Sequence, residues 1–392
     1  MFISQMFRKV IRNRLLLFSI LLLVIARIYE VKVKANYVAY NIFEKFFGSN
    51  ILINYTPNFS LLGLIRTTII IASSLLLIAY VHQHRTSKNN AQDAGSRWLF
   101  NAAQWLGWAM ALVCLVLFVV SPARFAGATA EDYVVEDLSA IGLFAGCGFM
   151  VGVFVLQFRS RQGMKYKTIK LGMAAIMALV LFVSGMEEVS WFQRVIHYST
   201  PSFLSSNQQH EANLHNLDSD LSEEIYYFGS FVLLILVPFI ADQSDLLESI
   251  PGIKLFVPNV TVLFSAALLS AYNYNLWNRS SIQFAFFATL WILAFYSFKA
   301  VREHVPLSPW RYFPVLVLVL FIATQAIFIL RGRYFIQSWN VTEYREMIMP
   351  YGYVVWTVDV LRRALLEYRQ KRTIEAVPLA MPQVSATSSV AK

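Results

Sequence analysis

The chain has 392 residues, of which 57% are hydrophobic and only 14% are charged, and its formal net charge is +10. Charged residues make up about a quarter of an ordinary soluble domain, so this composition excludes a soluble globule and indicates a polytopic membrane protein. The positive charge does not predict nucleic-acid binding, because the basic residues cluster in short loops beside apolar runs, where membrane proteins carry orientation signals.

Apolar runs follow one another along the whole chain, and most approach the ~20 residues needed to cross ~30 Å of hydrocarbon. A lipid-exposed segment has to satisfy its own backbone hydrogen bonds, so the runs predict an all-α transmembrane bundle of about 9–10 spans. The predicted spans are 15–28, 61–81, 98–120, 138–158, 171–186, 225–241, 255–272, 282–298, 312–330 and 347–361. The last run is short and contains Pro350, so an external amphipathic helix is the alternative to a tenth span.

Basic residues define the orientation of these spans. A basic cluster before the first run places the N-terminus in the cytoplasm, and no cleavage site follows that run, so it is retained as the first span. The strongest cytoplasmic signal lies between the fourth and fifth spans, with Arg159, Arg161, Lys165, Lys167 and Lys170. Span five therefore points outward and delivers residues 185–224 to the external face.

The domain organisation is simple. We expect a single transmembrane domain at 1–372, with an external polar loop at 185–224, and a disordered tail at 373–392 that is rich in Ala, Pro, Ser and Val. Cys114 and Cys147 lie inside apolar runs and are interpreted as small core residues.

The external loop begins with two adjacent acids, Glu187 and Glu188, at the end of an apolar run. If the helix of span five continues to residue 197, then Glu187, Trp191 and Arg194 lie on one face, while Glu188 points about 100° away. Ionisable residues at membrane depth usually line a cavity, so both glutamates are predicted catalytic groups. The alternative is a helix end at the interface, with solvated charges and Trp191 in the aromatic belt.

A second short helix is predicted at 208–217, where Glu211 and His215 are four residues apart and share a face. Its two histidines are five residues apart, which excludes the H-E-x-x-H metalloprotease pattern. Glu211 and His215, with Glu187 as a third group, are predicted either as ligands of a divalent metal such as Zn, Mn or Fe, or as an acid-oriented general base. The third interpretation is a loop anchored by hydrogen bonds, in which Asn213 takes part.

The predicted topology brings further groups to the external face. Glu136 lies at the outer start of span four, and Glu346 lies just before the last span. Arg66 lies several residues inside span two and is expected to be paired or to face a phosphate, whereas Arg27 is expected to snorkel to the headgroups. The predicted substrate-binding residues are Arg194, Arg66, Trp191, Asn213 and Glu136.

Three strings in this sequence resemble a family of uncharacterised bacterial polytopic membrane proteins: E-D-Y-V-V-E-D, G-M-E-E-V-S-W-F-Q-R and H-E-A-N-L-H-N-L. The family motif reads roughly E-E-x-S-W-G-Q-R, then a Thr-Pro segment, then E-x-N-L-H-N-L. The matching positions are Glu187, Glu188, Ser190, Trp191, Gln193, Arg194, Thr200, Pro201, Glu211, Asn213, His215 and Asn216. Phe192 replaces the family's glycine, which puts a close backbone approach there in doubt. The resemblance implies a bacterial inner membrane and an external polar site, and it supplies no activity.

These features predict a multi-pass protein of the bacterial inner membrane. The leading hypothesis is a membrane-embedded hydrolase or transferase that acts at the periplasmic face on a lipid or lipid-linked glycan through a Glu/His site. A transporter or proton-coupled carrier and a non-catalytic assembly or scaffold protein are the alternatives. The depth of the site separates them, because a polar path through spans four to six would favour transport. The expected partners are membrane lipids and a lipid-linked substrate.

Overall fold

The structure is a computed structural model, and it describes residues 2–35, 60–85, 97–129, 134–160, 164–197, 199, 219–245, 247, 250, 252–302, 312–337 and 339–376. The helices are α1 Phe2–Ala35, α2 Leu61–Gln83, α3 Arg97–Val120, α4 Pro122–Gly127, α5 Val134–Arg159, α6 Met164–Glu188, α7 Gln193–Ile196, α8 Ser219–Phe231, α9 Val237–Gln243, α10 Val260–Ala266, α11 Ser280–Arg302, α12 Phe313–Leu330 and α13 Asn340–Ala376. A π-helical segment, Val232–Leu236, joins α8 to α9. The described residues contain no strand, so the predicted all-α class is confirmed.

Seven helical stretches in the described part are long and apolar enough to cross a membrane. They are Leu61–Gln83, Phe100–Val120, Val134–Arg159, Tyr166–Glu188, Leu221–Gln243, Ser280–Arg302 and Phe313–Leu330. They coincide with the predicted second to sixth, eighth and ninth spans, and together they form a multi-pass helical bundle. The predicted first span lies within α1, whose side chains are described from 14 to 30.

The span predicted at 255–272 is wrong as a full-length helix. Residues 252–259 form turns and extended chain, and the apolar helix there runs only from Val260 to Ser270. At 1.5 Å per residue, a helix of this length covers about 16 Å, roughly half of the hydrocarbon core. Its residues are nearly all buried, with Val262, Leu263 and Ala266 fully inaccessible. The apolar run therefore forms a central packing element and not a lipid-facing span. Hydropathy does not distinguish these two kinds of segment, because both are equally hydrophobic in sequence.

The predicted tenth span lies inside α13, a helix of 37 residues with Pro350 in its interior. This helix is not among the seven apolar stretches, and it packs along α5. Gly142 of α5 makes the close approach possible, since a Cβ there would lie 3.0 Å from Cβ of Pro350. One turn further, a Cβ on Gly146 would lie 3.6 Å from Oγ1 of Thr357. Small residues spaced as G-x-x-x-G are typical of helix contacts inside membranes, so this packing supports the tenth span over the amphipathic alternative.

The centre of the bundle is tightly packed around Gly352 of α13. A Cβ at this position would lie 2.9 Å from both Cβ of Ala266 and Cδ1 of Leu234. Leu234 belongs to the π-helical segment, and it is fully buried. Three elements therefore meet here without space for another methyl group, and the contact is apolar.

The bundle has an acidic and a basic end. At the acidic end α1 and α6 terminate, and α5, α8, α11 and α13 begin. The ion pair of Arg27 with Glu224 joins α1 to α8 there, and the hydrogen bond of Tyr227 to Glu346 joins α8 to α13. At the basic end α6 begins and α13 continues towards its C-terminus, where Lys170 pairs with Glu367. Basic side chains at that end include Arg85, Arg159, Lys167, Lys170, Lys254, Arg302 and Arg363.

Candidate functional site

Carboxylates from four helices converge at the acidic end of the bundle. We refer to the group as the carboxylate recess, and its members are Glu136 of α5, Glu187 and Glu188 of α6, Glu223 of α8, and Glu343 and Glu346 of α13. Glu188 interacts electrostatically with Glu346, Glu136 and Glu187. All six side chains are partly accessible to water, although Glu188 and Glu343 are densely surrounded by protein. The carboxylates therefore line a depression in the end of the bundle.

The chain folds abruptly just after Glu188, where α6 ends. Ser190, Trp191 and Phe192 have φ of 44°, 54° and 59°, so three successive residues other than glycine adopt the left-handed region. Such a residue costs on the order of 1–3 kcal/mol and persists only where the surrounding structure enforces it. Strain of this kind clusters at functional sites, and here it lies directly beside the carboxylate recess.

The helix of span five therefore does not continue unbroken to His197, and the alternative of a helix that ends or distorts is observed. Its predicted contact between Glu187 and Trp191 nevertheless exists, because Nε1 of Trp191 donates a 2.7 Å hydrogen bond to Oε1 of Glu187. The indole thus holds a recess carboxylate in place. Arg194 lies in the short helix α7, and its side chain is outside the described residues.

Gly185 has a packing role in this region. A Cβ at residue 185 would lie 3.0 Å from Cε1 of Phe144, so the absence of a side chain lets α6 approach α5. The helix continues through Gly185 and distorts only after Glu188.

Two adjacent tyrosines of α8 extend the recess inward. The hydroxyl of Tyr227 donates a hydrogen bond to Oε1 of Glu346. Tyr226 interacts electrostatically with Glu188, and its buried hydroxyl has no hydrogen-bond partner among the described residues. A phenol can donate to a carboxylate and can accept a proton in return, so these side chains add proton-exchanging groups to the acids.

Arg345 is the cation that faces the recess from α13. Its side chain is only 1% exposed, and Nε donates a 2.6 Å hydrogen bond to the carbonyl of Tyr272. The guanidinium lies 4.5 Å from the ring centroid of Tyr227 and interacts electrostatically with Glu223 and Glu346. Within the described part of the chain, Nη1 and Nη2 have no hydrogen-bond partner. Four N–H donors of this buried guanidinium thus have no acceptor among the described residues.

The mutual proximity of the carboxylates changes their ionisation. Burial raises the pKa of Glu343, which precedes the predicted tenth span, well above its usual value of 4.5. The neighbouring carboxylates act in the same direction, and they are those of Glu346, Glu188, Glu223 and Glu136. Like charges at short range in a low dielectric oppose each other's ionisation, so this arrangement favours protonated and ionised carboxyl groups side by side. A site with both forms can donate and accept a proton in the same reaction.

Arg66 does not belong to the recess. Its side chain is fully buried, and Nη1 and Nη2 donate to the backbone carbonyl and Oδ1 of Asn278 at 2.6 and 3.3 Å. The prediction of a paired arginine is confirmed, but the observed partner lies in the connection before α11. The contact fixes that connection to α2, so the expected juxtaposition of Arg66 with Glu187 and Glu188 is wrong.

A second charged group lies at the same end of the bundle, and we call it the balanced cluster: Arg27, Glu30, Glu224 and Arg279. Nη1 of Arg27 lies 2.8 Å from both carboxylate oxygens of Glu30, and Nη2 lies 3.0 Å from Oε2 of Glu224. Glu30 is 3% exposed and also accepts a 2.8 Å hydrogen bond from the backbone N–H of Ser280, at the start of α11. The expectation that Arg27 snorkels to the headgroups is therefore wrong, because acids on α1 and α8 hold it.

The outcome for the predicted site residues is divided. Glu136, Glu187, Glu188 and Glu346 come together as expected, whereas Glu211, His215 and Asn213 lie outside the described residues. The metal hypothesis that uses Glu211, His215 and Glu187 therefore stays a prediction. Among the described side chains, no group of three or more His, Cys, Asp or Glu has an arrangement suited to a metal ion.

Sequence reasoning missed Glu223 and Arg345. A signal was present for each, because Glu223 and Glu224 precede span six as an adjacent pair, just as Glu187 and Glu188 end span five. Arg345 is the immediate neighbour of Glu346, before the last apolar run. Both positions were external by the same topology.

Comparison of the chain with protein-family models, with curated proteins and with solved structures gives no match. The fold and the site therefore have to carry the functional argument without support from a relative. The described groups of the recess are suited to proton transfer by carboxyl groups and phenols, and to anion binding by a buried guanidinium.

Proposed function

We propose that this protein is a membrane-embedded hydrolase or transferase that acts on a lipid or lipid-linked glycan at the periplasmic face of a bacterial inner membrane. The observation that carries the proposal is the convergence of Glu188, Glu343 and Glu346 at one end of the bundle, where Arg345 interacts electrostatically with Glu346 and its Nη groups have no hydrogen-bond partner among the described residues. Carboxyl groups in two protonation states beside an anion-binding guanidinium are the components of acid–base catalysis on a phosphorylated or glycosidic substrate.

The roles follow from the contacts. Arg345 binds the phosphate or another anionic group of the substrate through Nη1 and Nη2, while Nε remains bound to the carbonyl of Tyr272. A protonated carboxyl of the recess donates to the leaving oxygen, and an ionised neighbour accepts a proton from the attacking water or hydroxyl. Glu188 and Glu346 are the proposed pair, since they interact with one another and Tyr227 orients Glu346. Glu211 and His215, which lie outside the described residues, are expected from the sequence to take part as well.

The orientation is part of the proposal. Short loops rich in Lys and Arg lie on the cytoplasmic side of a membrane, and such residues gather at the basic end of this bundle. The carboxylate recess at the opposite end then opens to the periplasm. Exposed Ser199, after α7, and exposed Gln83, at the end of α2, lie at opposite ends. In intact cells, a membrane-impermeant maleimide should modify Ser199→Cys and not Gln83→Cys, and the reverse pattern would invert the assignment.

The depth of the polar groups supports an enzyme over a carrier. The charged groups of α13 from Glu343 to Glu346 extend over about 5 Å along the helix. Below them Gly352 packs against Leu234 and Ala266 without space for a methyl group. This close apolar packing under the recess leaves no path for a substrate towards the other face of the membrane. A carrier needs such a path, whereas an enzyme that acts at the surface does not.

The experiment compares Glu188→Gln and Glu346→Gln with wild type in a deletion strain, by profiling lipids, glycolipids and lipid-linked intermediates. The matched control is Asp137→Asn, which changes an exposed acid beside Glu136 in the first turn of α5. General acid–base catalysis contributes about 10²–10⁴-fold, so the isosteric variants should reproduce the deletion profile while the control restores wild type.

Two results would contradict the proposal. Full restoration by both Glu→Gln variants, at wild-type protein levels, would exclude carboxyl chemistry and leave the scaffold function, for which shape is sufficient. Arg345→Lys keeps the positive charge and loses the planar donor fork, so it should impair the reaction while the protein accumulates normally. A wild-type profile for Arg345→Lys would remove the anion-binding role.

A further inference from the structure

A cavity of about 500 Å³ lies at the basic end, on the opposite side of the bundle from the carboxylate recess. It is formed by the first turns of α6, the turn at 252–256 and the C-terminal half of α13. Volumes of about 300–1,000 Å³ are typical of sites for small molecules and lipid headgroups. Neither the fold nor the proposed reaction uses this space.

Cations dominate the polar lining. The described lining residues include Lys170, Lys254 and Arg363, with Glu367 as the carboxylate. Lys170 pairs with Glu367 at 2.7 Å, and the ammonium is only 12% exposed. Arg363 is paired with Asp359 at 2.9 Å, so three cations face two carboxylates at this cavity, and its net positive charge attracts an anion.

The wall that presents Arg363 is rigid. Its Nη1 and Nη2 donate to the carbonyls of Lys254 and Val257 at 3.0 and 2.9 Å, and Nη2 lies 2.9 Å from the buried Oδ2 of Asp359. The adjoining turn contains Gly252 with φ of +86°, and a Cβ there would lie 2.9 Å from Cγ2 of Ile169. The cavity is therefore a preformed feature of the fold.

The rim of the cavity is apolar and exposed. Tyr166, Ile250 and Leu366 are 46%, 42% and 37% exposed. Tyr166 is also the first residue of the candidate span that ends at Glu188, which places the rim at the boundary of the hydrocarbon region. A soluble phosphate compound has no apolar part that would bury these three exposed side chains, whereas the acyl chain of a lipid would cover them.

From these observations we infer that the cavity binds the phosphate headgroup of an anionic phospholipid of the adjacent leaflet. Lys170, Lys254 and Arg363 hold the headgroup, and the acyl chains lie along Ile250 and Leu366. Basic pockets between helices near the membrane surface recognise lipid headgroups by this combination of charge and apolar contact. The inference is independent of the reaction proposed for the recess, because the two sites lie at opposite ends of the bundle.

The test titrates the purified full-length protein with phosphatidylglycerol and with phosphatidylcholine, and counts bound lipids by native mass spectrometry. Wild type should bind phosphatidylglycerol selectively. Lys170→Gln/Lys254→Gln should weaken that binding by roughly tenfold or more, since each surface cation contributes about 1 kcal/mol to anionic-lipid binding. The matched control is Lys299→Gln/Arg302→Gln, which removes the same charge from the end of α11.

If loss of the ion pair between Lys170 and Glu367 impairs folding, the single variant Lys254→Gln replaces the double variant in the test. Residue 254 is exposed, so this substitution should leave the fold intact. An equal loss in the control pair would overturn the proposal, because the binding would then reflect overall charge. Equal affinity of wild type for phosphatidylcholine would overturn it as well. Displacement of the lipid by glycerol phosphate at equimolar concentration would assign the site to a soluble phosphate and contradict the lipid.

Discussion

At the acidic end of the bundle, two charged groups use the same residue types in opposite ways. The balanced cluster matches two arginines with two glutamates, and Glu30 has partners on three sides. The carboxylate recess places like charges against one another and leaves the Nη groups of Arg345 without partners in the described structure. Opposite charges with saturated hydrogen bonds hold helices together, whereas like charges held at short range cost stability and persist for chemistry.

The largest effect should come from breaking the balanced cluster. Glu30→Gln leaves Arg27 and Arg279 with Glu224 as their remaining carboxylate, and loss of the charge of a buried, hydrogen-bonded partner costs about 3 kcal/mol. We expect a clear fall in thermal stability in detergent. The control is Asp137→Asn, which changes an exposed acid at the same end of the bundle. Its free energy of unfolding should stay within about 0.5 kcal/mol of wild type. A Glu30→Gln protein as stable as wild type would remove the structural role.

The recess should respond in the opposite sense, and its response should depend on pH. The pKa of Glu343 is raised by burial and by its neighbouring carboxylates, so the folded state holds a proton that the unfolded state releases near pH 4.5. The associated stability is complete below that pH and is lost as pH rises towards the raised pKa. Glu343→Gln should therefore be more stable than wild type at pH 7 by about 1.4 kcal/mol for each unit of the shift.

Thermal unfolding of wild type and Glu343→Gln across pH 4 to 8 measures this difference. The gap between the two melting temperatures should widen with pH and nearly close at the acidic limit. A gap that stays constant would mean that Glu343 has no special ionisation, and a gap of reversed sign would mean that a cation compensates it.

The strained turn beside the recess should give the smallest effect. Phe192 has φ of 59°, which costs an L-residue roughly 1–2 kcal/mol and glycine almost nothing. Phe192→Gly should therefore raise the free energy of unfolding by about 1 kcal/mol after the entropic cost of glycine. The control is Ile196→Gly, an exposed position in the helical α7, which should be destabilising by a similar amount. Destabilisation by Phe192→Gly would show that its ring contributes more than its backbone conformation costs.

Sequence reasoning succeeded where one physical signal decides the structure. Long uncharged apolar runs have to become helices in lipid, so seven spans were predicted within a few residues. Topology alone placed Glu136 and Glu346 beside Glu188, since spans of known direction bring their outer ends together. These inferences needed no knowledge of side-chain packing.

The failures share a different cause, which is tertiary contact. The apolar run at 255–272 gives the same hydropathy whether it faces lipid or α13, and only the packing of Ala266 on Gly352 separates the two. Arg66 and Arg27 were assigned by depth, but Asn278 and Glu30 determine their environment from distant segments.

The G-x-x-x-G contact of α5 with α13 also bears on how the protein is made. The last helix carries buried Asp359 beside Arg362 and Arg363, and each such residue at the centre of an isolated helix opposes insertion by about 2.5–3.5 kcal/mol. Insertion of α13 therefore depends on a groove that the earlier helices have already built around Gly142 and Gly146. Because Glu343, Arg345 and Glu346 arrive with α13, the recess is complete only after this helix has inserted.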